Sequence, residues 1–125
     1  MTTRPRLILV VEDESSLREL IANILLLDHH EVDGAGDADG ALLLLDQRRY
    51  ELVIADVRMP KLDGPALLDA LAERFADAPP QVVFLTHVAF DPHYGSFLAN
   101  LRAPVLTKPL KAGRVLELVT RIFAS

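Results

Sequence analysis

Leu7-Ile-Leu-Val-Val-Glu-Asp13 decides the reading of this chain: five apolar residues run straight into two acids. The pattern returns twice. Leu52-Val-Ile-Ala-Asp56 ends on one acid, and Val105-Leu-Thr-Lys-Pro109 ends on a lysine and a proline. Short, unbroken apolar runs read as strands buried on both faces, the habit of parallel sheets. Parallel strands present their carboxyl ends along one edge. Glu12, Asp13, Asp56 and Lys108 are therefore expected to converge in one crevice, where open α/β sheets place their chemistry.

Working outward, five apolar runs alternate with helical stretches. Ser15 or Ser16 is expected to cap a helix carrying Leu17, Leu20, Ile21, Ile24 and Leu25 on one face. Glu31 to Ala35 reads as a weak second strand, followed by a helix that turns Ala38, Ala41, Leu42 and Leu45 inward. After Asp56, the loop Val57-Arg-Met-Pro-Lys-Leu-Asp-Gly64 leads into a helix with Pro65 in its first turn, where a missing N–H does no harm. Leu67, Leu68, Leu71 and Phe75 line that helix, which stops before Pro79-Pro80. Gln81 to Leu85 forms a fourth strand ending at Thr86. Pro92 and Gly95 interrupt the stretch 87–101, leaving room for a short helix that packs Phe97, Leu98 and Leu101. Val105 to Thr107 is a fifth strand, and Val115, Leu118, Val119 and Ile122 mark the last helix. Strands joined by helix-length connections imply right-handed crossovers and a parallel sheet.

The bulk numbers agree. A chain of 125 residues fits one domain and buries enough surface to need neither disulfide nor structural metal. Cys 0 removes thiol chemistry and suits a reducing cytoplasm. The apolar stretch after the basic opening breaks at Glu12, so no signal peptide or membrane span is expected. A net charge of -5 argues against direct grip on nucleic acid.

The crevice carries a charge problem. If Glu12, Asp13 and Asp56 approach within ~5 Å at an effective dielectric of about 20, their mutual repulsion costs on the order of 10 kcal/mol. The acids must bind a cation, pair with Lys108 or take up a proton. Oxygen-only ligands favour a hard ion, and Mg²⁺ is commonly held by one or two carboxylates with waters and phosphate oxygens. Asp56 is the candidate nucleophile, since a carboxylate can carry a phosphoryl group as an acyl phosphate. Lys108 would supply a point charge to the phosphoryl oxygens and Thr86 a hydroxyl.

Val10-Val-Glu-Asp-Glu14, Ile54-Ala-Asp-Val-Arg-Met-Pro-Lys-Leu-Asp-Gly64, Phe84-Leu-Thr86 and Leu106-Thr-Lys-Pro-Leu110 closely resemble the CheY-like receiver domains of two-component response regulators. The match spans essentially the whole chain. The resemblance implies an α/β, flavodoxin-like (βα)5 three-layer sandwich with strand order 2-1-3-4-5 and helices on both faces. It implies one receiver domain over residues 1–125 with no output domain, either standing alone or cut from a hybrid histidine kinase. By the same resemblance, Asp56 accepts phosphate from the phosphohistidine of a histidine kinase or phosphotransfer protein. Asp13, Asp56 and the backbone carbonyl of Arg58 bind Mg²⁺, or Mn²⁺ in its place, while Glu12 acts through water. Thr86 and Lys108 contact the phosphoryl group, and Lys108-Pro109 is the family's cis bond. The domain is then a cytoplasmic switch rather than an enzyme with an external substrate. It loads and hydrolyses its own phosphate slowly, acts on a downstream protein, and is compatible with homodimers through the fourth-helix to fifth-helix face.

Two positions depart from the family pattern. Val105 stands three residues before the lysine, where receivers commonly carry an aromatic that rotates inward; valine has no ring to swing. Activation is accordingly expected to be read near the fourth helix, through Tyr94 and Phe97. His87 follows Thr86 where a small residue is common, and either shields the site or points to solvent. Arg58 is expected at the site mouth, where it tunes hydrolysis. Two other functions compete. One is an interaction module that keeps the fold but no longer uses phosphate, supported by Val105 and His87 and opposed by the complete acid-threonine-lysine set. The other is a nucleotide or flavin enzyme, but the loop Glu12-Asp-Glu-Ser-Ser16 would repel phosphate where such enzymes place glycine. His29, His30 and His93 lack metal-ligand spacing. Arg48-Arg49 reads as a solvated turn.

Overall fold

The computed structural model describes residues 4–87 and 91–124; residues 88–90 of the uncertain 87–101 stretch lie outside it. Five strands alternate with five helices: β1 (Leu7–Val11), α1 (Ser15–Leu27), β2 (Glu31–Ala35), α2 (Ala38–Gln47), β3 (Leu52–Asp56), α3 (Gly64–Arg74), β4 (Gln81–Thr86), α4 (Gly95–Asn100), β5 (Val105–Thr107) and α5 (Ala112–Phe123). All strand pairs are parallel, in the order β2-β1-β3-β4-β5. This is the flavodoxin-like arrangement that the resemblance implied.

Strand alternation sorts the core into two layers. Leu9, Val11, Val53, Ala55, Val82 and Phe84 face one way, and α2, α3 and α4 cover them. Ile8, Val10, Leu52, Ile54, Val83 and Leu85 face the other, under α1 and α5. Because β1, β3 and β4 are covered on both sides, their sequences run apolar without alternation. The edge strand β2 is half exposed, which explains its weak apolar pattern.

Two local expectations are corrected. Neither Ser15 nor Ser16 caps α1. Glu14 occupies the cap position without a side-chain cap bond, and Ser16 Oγ instead donates to Glu14 Oε1 at 3.1 Å. Leu20 is 46% exposed and does not join the inward face. Ile21, Ile24 and Leu25 are the buried residues of α1, with Leu17 packed at the margin, and 100° per residue leaves Leu20 on the rim beside Lys108 and Pro109. Pro65 lies in the first turn of α3 as read, and the structure adds a cap: Asp63 Oδ1 accepts from Ala66 N at 3.1 Å. The fourth helix is only six residues long and buries none of them fully.

Candidate functional site

The acids sit where their strands stop. Val10 and Val11 pair with Ile54 and Ala55, so Glu12 and Asp13 leave β1 beside the end of β3, where Asp56 stands. Asp56 pairs in turn with Leu85, putting Thr86 one residue beyond on the neighbouring strand. Lys108 N donates to Thr86 O at 2.8 Å, and the Lys108-Pro109 bond is cis. Four strand ends thereby deliver five side chains to one edge.

The geometry meets the charge problem in two of the three expected ways. Lys108 Nζ donates to Asp56 Oδ2 at 2.6 Å and lies 3.3 Å from Glu12 Oε2. Burial pushes Asp56 up, but Lys108 and the Arg58 amide, which donates to Oδ1 at 2.8 Å, outweigh it and hold the carboxyl below its usual value. Lys108 follows the same logic with opposite sign: burial lowers it, and Asp56 and Glu12 more than restore the charge. Glu12 has the poorer share. It is 1% exposed, and burial together with the neighbouring Asp56 carboxylate pushes it up to about 7 despite Lys108. One ammonium and a Glu12 carboxyl shifted toward its neutral form thus ease the crowding of three acids.

A third compensation is prepared. Oxygens of Glu12, Asp13 and Asp56 all lie within 4.8 Å of one another, and Asp13 is exposed to solvent. Glu12 Oε2 is buried without a hydrogen-bond partner, since Lys108 meets it at ionic distance but not in bonding geometry. An orphaned carboxylate oxygen beside two more carboxylates is the donor chemistry of a hard divalent cation. The acidic cluster can hold a metal. His29, His30 and His93 form no such group among the described residues. His30 is buried, with Nδ1 accepting from Arg6 N at 3.1 Å.

The surrounding loops are built close. Arg18 Nη1 donates to Glu12 O at 2.7 Å, and the side chain lies across Gly34 and Gly36, where a Cβ would come within 3.2 and 2.8 Å of it. A Cβ on Gly64 would lie 2.6 Å from Phe97 and 2.9 Å from Val57, so glycine lets α4 pack onto the start of α3. His87 is exposed to solvent. Asp91 went unrecognised in the sequence. It is 1% exposed and takes a two-pronged ion pair from Arg58, at 2.6 Å from Nε and 2.9 Å from Nη2. The Asp91-Pro92 dipeptide ahead of a helix was the available clue, because aspartate before proline marks a helix start.

Known proteins share sequence and fold with this chain. The response regulator protein FleR of Pseudomonas aeruginosa is 35% identical over 114 residues, which cover 91% of this chain and 24% of FleR. The chain thus spans about a quarter of that relative's length. The solved structure of NtrX from Brucella abortus shares 32% identity over 97% of this chain and 27% of its own, with a TM-score of 0.82. The receiver domain of the sensor histidine kinase PA1611 from Pseudomonas aeruginosa, solved with a magnesium ion coordinated in its active-site cleft, shares the fold. Its TM-score is 0.82 at 23% identity, covering 98% of this chain and 100% of that one. The family model of the response regulator receiver domain matches residues 8–120, and the chain belongs to that family of two-component phosphoacceptors, which work with histidine kinases.

Proposed function

We propose that this chain is a single receiver domain in which Asp56 accepts a phosphoryl group from the phosphohistidine of a kinase or phosphotransfer protein and so switches contacts with a downstream protein. The observation that carries the reading is the Asp56 carboxylate itself. It is buried at a strand tip, paired with Lys108 at 2.6 Å and grouped with two further acids within 4.8 Å.

A carboxylate oxygen of Asp56 attacks phosphorus, the nitrogen–phosphorus bond of the donor breaks, and the leaving imidazole keeps the bonding electron pair. The product is an acyl phosphate on Asp56. Lys108 already donates to Asp56 and transfers its contact to a phosphoryl oxygen, while the Thr86 hydroxyl contacts a second. Asp13, Asp56 and the Arg58 backbone carbonyl would hold Mg²⁺, with Mn²⁺ as a substitute and Glu12 acting through water; when bound, the ion neutralises charge that builds on the phosphoryl oxygens. Water reverses the modification slowly, so the domain is a timer on its own phosphate. Exposed Leu20, with Leu17, Pro109 and Leu110 beside Lys108, offers the donor an apolar rim at the site mouth. The domain works in the cytoplasm, where kinases present phosphohistidine. No helix among the described residues is long and apolar enough to cross a membrane.

Incubation with acetyl phosphate or a phosphorylated kinase, with and without Mg²⁺, tests the reading. Hydroxylamine-sensitive phosphate that requires the cation and disappears in Asp56→Asn is expected. Phosphate uptake undiminished in Asp56→Asn overturns the assignment.

A further inference from the structure

Val105 leaves this domain without the ring that would report on Thr86, yet a second connection runs from Asp56 to α4. Arg58 N donates to Asp56 Oδ1 at 2.8 Å, so the backbone of Arg58 is tied to the phosphoacceptor. Its guanidinium grips Asp91 with two parallel bonds, at 2.6 and 2.9 Å. Asp91 Oδ1 also accepts from the amides of His93 and Tyr94, at 2.8 and 3.0 Å, in the turn that starts α4. Tyr94 OH donates to Asp63 Oδ2 at 3.1 Å, and Phe97 stacks edge-on against Phe84 at 5.6 Å while covering Gly64. Three contacts therefore join residues 58–64 to α4 and the turn ahead of it.

We propose that the Arg58–Asp91 pair is the strut by which a change of charge on Asp56 reaches α4, with Asp91 acting as a positioning residue for Arg58. The proposal rests on Asp56 being the phosphoacceptor. Arg58 is 44% exposed in its side chain and Asp91 2%, so the two ends respond differently to a new field. Added negative charge on Asp56 draws the guanidinium, which the Asp56 carboxylate already favours in its charged form and whose Nη1 donates to no described residue. Asp91 cannot follow into water. If the guanidinium moves, the buried carboxylate either drags the His93 and Tyr94 amides with it or loses its cation, and a buried charge without its partner is strongly disfavoured. Either result acts on the first turn of α4. That helix has six residues and none fully buried, so few packing contacts resist a shift.

Hydrogen exchange over residues 93–100, read alongside intact mass to count phosphoryl groups, tests the strut. In the wild type, acetyl phosphate with Mg²⁺ should change exchange there at least fivefold. Asp91→Asn keeps an oxygen for the two amides but removes the carboxylate, and should leave less than a twofold difference between phosphorylated and unphosphorylated protein. Arg58→Lys retains the charge without the fork and, at a half-exposed position, tests the strut without emptying the core; the same collapse is expected. Both variants are read per phosphorylated molecule. A wild-type-sized response in either phosphorylated variant overturns the strut. So does a wild type that takes up phosphate with no change over 93–100. A wild type that takes up none overturns the phosphoacceptor reading beneath it.

Discussion

The two edges of the sheet carry similar residues arranged to opposite effect. At the amino edge, Glu51 meets two arginines: Arg4 Nη2 at 2.7 Å and Arg6 Nη1 at 3.0 Å. Burial pushes Glu51 up, but those bonds outweigh it and hold the carboxyl below its usual value. Arg6 also lies over the Phe123 ring, 4.7 Å from its centroid. At the carboxyl edge, Glu12, Asp13 and Asp56 share the ammonium of Lys108, and Glu12 is driven up to about 7. Two cations per acid make a clasp. One cation among three acids makes a site that still wants a ligand. The lesson is that a charge cluster is read by its imbalance, since a satisfied pair at a surface adds little and a frustrated buried one persists where it has work to do.

Removing Lys108 should break the carboxyl edge most severely. Lys108→Met is expected to slow loading of phosphate from acetyl phosphate by about a hundredfold, the usual scale for losing one preorganised charge donor. Retained loading in that variant would remove Lys108 from the chemistry. The next effect is on stability. Glu12 ionises near 4.5 when unfolded and about 7 when folded, so between those values the folded chain holds more protons and stability falls as pH rises. With chelator present, Glu12→Gln should match the wild type near pH 5 and exceed it by about 2 kcal/mol at pH 8. Denaturant melts at the two pH values read this directly. In the wild type, apparent Mg²⁺ affinity should rise with pH and level off above about 7, with proton release in calorimetry below that point.

The amino edge should respond with the opposite sign. Glu51→Gln loses charge-assisted bonds and is expected to cost about 1 kcal/mol at neutral pH. Because the folded carboxyl is held low, that cost should vanish as acid protonates Glu51 in the wild type. A gain in stability on this substitution would erase the contrast between the edges. The smallest effect concerns the backbone. Among the described residues, each edge has one non-glycine residue in the left-handed region, His29 with φ 67° and Lys61 with φ 63°. Glycine at either position should stabilise by about 0.5 kcal/mol, the relief of strain being partly offset by glycine's greater unfolded-state freedom. Strain, unlike charge balance, should fail to tell the edges apart.

Much of this was legible because strand-tip placement is written in short-range order. Five apolar runs, each ending at a chemistry-bearing residue or a turn, determine that Glu12, Asp13, Asp56, Thr86 and Lys108 leave their strands at the same edge. The start of α3 was equally readable, since Pro65 acts within one turn. Leu20 was misplaced because its neighbours in space come from the loop around Lys108 and Pro109, far along the chain.

By itself the sequence determined a parallel α/β chain whose acids and lysine had to meet, because period and chain direction dictate where strands end. Only tertiary structure decided how that meeting is balanced. The raised proton affinity of Glu12, the grip of Lys108 on Asp56 and the Arg58–Asp91 strut all depend on distances between residues tens of positions apart. Electrostatic energy varies with separation and burial, and neither is encoded in local pattern.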